Sequence, residues 1–237
     1  MKRCLIGFSL LLACIPTVWA QDWRALDLPK DSIKAGQAPE VPLGEHEWFS
    51  IPWRILEVRE RAGAIPIAPG APAVSIALSG RAASLRVLHA LHVGPGLKAY
   101  RDAVLESVNK GTDRPDFPVV AQYVIRYADG ARAPFDIRYG ESIEGATRRT
   151  FEPVSRFIGD LAWASIAWQG AHDYEKDERA VLYAMRIPNP RPEAQLAALE
   201  VVAAGPSNCG AVEIYAASAE AVPAPPRGRT LGALHFC

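Results

Sequence analysis

The stretch Val119–Gly140, VVAQYVIRYADGARAPFDIRYG, constrains this chain more than any other. Val119, Ala121, Tyr123, Ile125 and Tyr127 fall on one side of a two-residue period, with Gln122 and Arg126 on the other, as a half-buried strand requires. Asp129-Gly130 then supplies residues that tolerate positive φ, and Phe135, Ile137 and Tyr139 resume the alternation against Asp136 and Arg138. The pattern predicts a β-hairpin. Its loop exceeds two residues, and Pro134 opens the second strand, where no ladder donor is needed.

The same period recurs along the chain. Phe49 to Trp53 and Ile55 to Val58 read as a first strand, followed by a Gly/Pro-rich loop in which Pro66, Pro69 and Pro72 preclude a helix. Val74, Ile76 and Leu78 alternate, Ser79-Gly80 turns the chain, and Leu85, Val87, His89 and Leu91 alternate again. Leu161 to Trp168 reads as a strand whose alanines leave it ambiguous with helix. Val181, Tyr183, Met185 and Ile187 form a firmer strand, closed by Pro188-Asn189-Pro190-Arg191-Pro192. Leu196 to Ala203 and Ala211 to Ala217 complete the set. One segment changes period: Leu97, Tyr100, Val104 and Val108 recur at three and four before Gly111, which predicts a single helix near 97–110. No internal repeat of fixed period appears, and strands and helices do not alternate as a parallel sheet needs. The expected fold is all-β: a two-sheet antiparallel β-sandwich, jelly-roll-like, with about eight or nine strands and that one inserted helix.

Lys2 and Arg3 precede an apolar run ending in Val18-Trp19-Ala20, the pattern of a secretory signal peptide over residues 1–20. The run is too short for a comfortable membrane span, and the mature chain is expected to be exported, periplasmic or extracellular. Leu11-Leu12-Ala13-Cys14 offers a competing cut, which would make a lipoprotein anchored through Cys14. Residues 21–47 read as an extended leader, 48–217 as the sandwich domain and 218–237 as a Pro-rich tail. The 26 basic residues balance 26 acidic ones, so nothing recruits a polyanion and nucleic acid is not an expected partner. Outside residues 1–20 only Cys209 and Cys237 remain, a candidate disulfide in an oxidising compartment, with two unpaired thiols as the alternative.

Catalytic patterns are sparse. Ser79-Gly80 lacks the preceding glycine of a nucleophile elbow. His89 and His92 leave opposite faces of one strand and cannot readily chelate one metal. His172-Asp173 and Glu45-His46-Glu47 lie in polar loops, and Asp173, Glu175, Asp177 and Glu178 read as a charged surface loop. No catalytic residue, metal site or cofactor is assigned on these grounds. What remains is aromatic and planar polar chemistry on a β scaffold, including Trp163 and Tyr174, which suits sugars because rings pack on C–H faces while guanidinium and carboxamide groups bond hydroxyls. The candidate ligand-binding residues are Trp168, Arg138, Asn189, Tyr139 and Trp53.

Ile51-Pro52-Trp53, Leu88-His89-Ala90, Tyr127-Ala128-Asp129-Gly130, Tyr139-Gly140, Ala167-Trp168-Gln169-Gly170 and Asn189-Pro190-Arg191-Pro192 occur in an order that resembles galactose-binding-like jelly-roll domains of bacterial secreted proteins of polysaccharide breakdown. The resemblance spans roughly Trp48 to Ala217. It implies a non-catalytic, carbohydrate-binding-module-like protein whose partner is a carbohydrate or glycoconjugate. Ile187, two residues before Asn189, departs from the aromatic expected there. Two other readings stay open: a structural or interaction protein of the cell envelope, with a protein partner, and a glycoside-active enzyme with an unrecognised carboxylate pair.

Overall fold

The computed structural model describes residues 22–97, 100, 117–149, 158–160 and 162–223. The expected signal segment, Cys14, Cys237 and most of the expected helix lie outside them; Leu97 closes a short 3-10 turn, Pro95–Leu97. Among the described residues the chain is all-β, antiparallel and sandwich-like. Its strands are β1 (Trp23–Ala25), β2 (Lys34–Ala35), β3 (Gly44–Trp48), β4 (Ile51–Ile55), β5 (Glu57–Val58), β6 (Arg61–Ile67), β7 (Val74–Ala77), β8 (Ser84–Val93), β9 (Val119–Tyr127), β10 (Arg132–Arg138), β11 (Thr147–Arg149), β12 (Ala164–Gln169), β13 (Glu178–Pro188), β14 (Leu196–Ala203) and β15 (Gly210–Glu220).

The large sheet runs β11-β13-β8-β15-β6-β2, with β12 also on β13, β1 on β15 and β5 on β6. A four-stranded sheet, β10-β9-β14-β7, faces it, and β3-β4 forms a separate hairpin. Alternation along β8 explains the layering. Leu85, Val87 and Leu91 join the core between the two main sheets, with Tyr123, Ile125, Ile137, Leu199 and Val201 opposite, while Leu88 and Ala90 point the other way. There they meet a second core under the β3-β4 hairpin, built on Ile51, Trp53 and Ile55. Both faces of the large sheet are thus covered, which is why its central strands β8, β13 and β15 are buried almost throughout.

His89 takes the inner face of β8. Its Nε2 lies 3.3 Å from the Ser142 carbonyl, which can only accept, so the ring proton sits there and Nδ1 accepts from the Tyr123 hydroxyl at 2.8 Å. Burial pushes this imidazole down to about 4, and it is a neutral core residue.

The β9-β10 hairpin forms where its sequence predicts it, but β10 starts at Arg132, two residues before the Pro134 expected to open it. Tyr127 N–H bonds the Ala131 carbonyl, Gly130 takes the positive φ of 85°, and Pro134 sits inside β10, on an edge where its missing donor costs no ladder bond. Other segments depart from the sequence reading. Phe49 and Ser50 are the left-handed turn between β3 and β4 rather than the start of a strand, and Phe49 is half exposed. Arg61–Ile67, expected in a loop, is β6: Pro66 pairs with Glu213 on one side and lies beyond the β2 pairing at Gly63 and Ala64 on the other. The leader contributes β1, β2 and β3, and β15 continues through Glu220 into the stretch read as tail.

Candidate ligand-binding cleft

Trp168, Arg138, Asn189, Tyr139 and Trp53 are not brought together. Trp53 lies in the outer core and Tyr139 in the inter-sheet core, both essentially without solvent contact. Asn189 is a buried staple: its Oδ1 accepts from the Tyr127 hydroxyl at 2.5 Å and the Arg191 amide at 2.9 Å, and its Nδ2 donates to the Ala82 carbonyl at 2.8 Å. Arg138, on the four-stranded sheet, donates to Asp136 at 2.6 Å and to the Phe117 carbonyl at 2.9 Å. Trp168, on the large sheet, is half-buried against the outer core, with its indole stacked above Gly170. Cys209 is buried in the inter-sheet core.

The cavity beside Trp168 is built by the turn that follows it. β12 and β13 pair up to Gln169 and Val181, and beyond them Asp173 and Glu178 exchange backbone bonds at 2.7 and 3.2 Å around a four-residue loop. Asp173 organises that loop. Its Oδ1 accepts from the amides of Glu175 and Lys176, and its Oδ2 from the Lys176 ammonium at 2.9 Å. The Lys176 side chain is the first cause holding the Asp173 carboxyl below its ordinary value. Asp177 takes the left-handed conformation and reaches His172 at 3.4 Å. His172 in turn holds Tyr174 edge-on, the ring centroids 4.6 Å apart and the planes at 90°. The Tyr174 ring is 89% exposed.

Between this loop, Thr147 of β11 and the leader residues Pro39 and Glu40 lies a cleft of about 400 Å³, floored by Ala171 and Ala180 and walled by His172, Asp173, Lys176, Glu178 and Arg179. Gly170 lies between Ala180 and the Trp168 indole, and neither Gly170 nor Trp168 lines the cleft. Arg179 is steadied by Gln169 at 3.3 Å. The walls mix two cations with three carboxylates, which sets up no field of a single sign. Among the described residues no three His, Cys, Asp or Glu side chains are grouped to hold a metal ion.

The Glu40 wall is fixed from below. Glu213, on the outer face of β15, is 2% exposed and accepts from His92 Nε2 at 2.8 Å, from the Tyr215 hydroxyl at 2.6 Å and from the Gln37 amide at 3.0 Å. Burial by itself would raise this carboxyl, but the bonds from His92, Tyr215 and Gln37 outweigh it and hold the group below its ordinary value. Tyr215 accepts from the Ala38 amide at 3.1 Å, and Arg61 donates to the Gln37 carbonyl at 3.1 Å.

Sequence reasoning missed Glu40, Thr147, Lys176 and Arg179 as one constellation, because three separate segments supply them. One signal was present: Glu213 interrupts the apolar run of β15, and a carboxylate in a buried strand needs donors. No protein-family model matches the chain, and no curated protein matches it.

Proposed function

We propose that the protein is a non-catalytic carbohydrate-binding protein and that its ligand, a neutral or weakly charged glycan, enters the cleft beside Tyr174. Tyr174 carries this reading. A tyrosine ring left almost wholly in solvent, yet held edge-on by His172, which itself lines a polar cleft, suits stacking on a sugar face. Arg179, Glu178 and Thr147 supply the fork, acceptor and hydroxyl that sugar hydroxyl groups require. Two cations against three carboxylates on the walls favour a neutral ligand over a strongly anionic one. The test is a glycan array on the protein, followed by calorimetry on the retained glycan with wild type and Tyr174→Ala. Since the ring is exposed, Tyr174→Ala should keep the melting temperature and lose about tenfold in affinity, the scale of one stacking contact. Absence of any bound glycan, or undiminished binding by Tyr174→Ala, would refute the reading. A second reading, a protein-interaction role at the cell envelope, draws on Phe49, whose ring stands 50% exposed at the tip of the β3-β4 hairpin.

A further inference from the structure

The leader residues that wall the cleft are tied to the large sheet by a set of contacts that the cleft itself does not use. Gly36 N–H bonds the Ala62 carbonyl at 2.7 Å, the Gln37 amide bonds Glu213, and the Ala38 amide bonds the Tyr215 hydroxyl. Immediately after these three anchored amides come Pro39 and Glu40, both in the cleft wall. Glu40 holds a left-handed φ of 59°, an uncommon conformation for a glutamate, so the segment is bent into place rather than resting in an extended minimum. The fit at its root is close. A Cβ on Gly36 would stand 2.8 Å from the Tyr215 ring and hydroxyl and 2.9 Å from the Ala62 carbonyl.

From this arrangement we infer that Gly36–Glu40 is a strap and that Glu213 and Tyr215 are positioning residues, latching it so that Glu40 stands in the wall of the cleft. The geometry has the features a latch needs. Glu213 is a buried carboxylate whose acceptors are filled partly by the sheet, through His92 and Tyr215, and partly by the strap, through Gln37. Release of the strap leaves that carboxylate short of a donor in a nearly dry site, so the closed state is strongly favoured. Tyr215 relays the same contact, donating to Glu213 and accepting from Ala38. Glu213 and Tyr215, two apart along β15, serve the same outer face, and the bulge between Ile214 and Ala216 falls only after that pair begins. Arg61, from β6, fastens the strap from the other side through the Gln37 carbonyl. The latch stands on this geometry alone; only its consequence for a ligand rests on the carbohydrate-binding reading above.

The experiment compares amide hydrogen exchange, cleft width and affinity in wild type, Tyr215→Phe, Gly36→Ala, Glu213→Ala and Glu213→Gln. Tyr215→Phe removes one hydroxyl, and Gly36→Ala leaves the latch residues intact while wedging the strap off them. Exchange at Gln37 and Ala38 should rise about tenfold or more in both, the scale of one lost hydrogen bond to a charged group, while amides of β8 and β15 stay protected. Glu213→Gln keeps an acceptor for the Gln37 amide and should recover part of the protection lost in Glu213→Ala. Nitroxide labels on Glu40→Cys and Lys176→Cys, in a Cys237→Ser background, should report a broader and longer distance distribution once Tyr215→Phe or Gly36→Ala is added. Unchanged exchange at Gln37 and Ala38, or an unchanged label distance when they do open, would overturn the strap. For any glycan retained on the array, affinity in Gly36→Ala should fall as it does in Glu40→Ala; unaltered affinity with an open strap would remove Glu40 from the site. If no glycan binds the wild type, the carbohydrate reading fails by itself, and exchange and label distance still decide the latch.

Discussion

Acidification should weaken this fold through His89, and the size of the effect follows from its surroundings. The imidazole is fully buried between the two main sheets, and its folded-state value is pushed down to about 4 from an ordinary 6.5. A histidine depressed in the folded state binds its proton more tightly when unfolded, so stability is full above pH 6.5 and drains away as the pH falls toward 4. With those two values the loss reaches about 2 kcal/mol at pH 5 and about 3 kcal/mol at pH 4. That is a large share of a typical domain's stability. The assay is urea unfolding of wild type and His89→Gln at a series of pH values from 7 to 5, above the range where carboxylates dominate. His89→Gln will be less stable at pH 7, because it disturbs the Tyr123 and Ser142 bonds, but its stability should lack this acid-dependent decline. The gap between the two proteins should therefore shrink by about 2 kcal/mol over the series. An NMR titration of the folded protein should place the His89 midpoint near 4. Parallel pH profiles for the two proteins, or a folded-state midpoint near 6.5, would refute the reasoning.

Phe49→Asn should raise stability by about 0.5 to 1 kcal/mol, because Phe49 holds a left-handed φ of 58° that asparagine tolerates better and its exposed ring contributes little burial; thermal unfolding reads this. Trp53→Ala should cost about 3 to 5 kcal/mol, a cavity in the core under the β3-β4 hairpin, measured by denaturant unfolding. Asn189→Ala should cost about 2 to 3 kcal/mol, since the buried Tyr127 hydroxyl and the Ala82 carbonyl would each lose a partner. The Glu213 carboxyl, depressed in the folded state, contributes stability above its unfolded value near 4.5 that is lost as the pH falls through its folded value; acid unfolding of Glu213→Gln should show a smaller loss than wild type below that pH.

Strands with an unbroken alternation were legible, because the two-residue period is a local property of backbone geometry, whereas β6, interrupted by Pro66, and the short leader strands β1 and β2 were not. β9 and β10 follow from Val119 to Gly140, β14 runs over Leu196–Ala203 as its pattern implies, and the outward turn of β8 at Leu88 and Ala90 can be read from the residues beside them. What each face meets is decided elsewhere in the chain. Trp53 stands as a candidate sugar contact by sequence until the β3-β4 hairpin folds over the large sheet and buries it. Asn189 is a turn residue by sequence and a staple only because Tyr127, far away along the chain, arrives beside it. The bulges in β12 and β15 shift the alternation by one residue, which reassigns Trp168 and Ala216 to the outer face with no mark in the local pattern. The cleft belongs wholly to this second kind of information. Alternation is set by each residue's own covalent geometry, whereas a wall made from Glu40, Thr147 and Arg179 exists only once long-range strand pairing has brought three separate segments to one place.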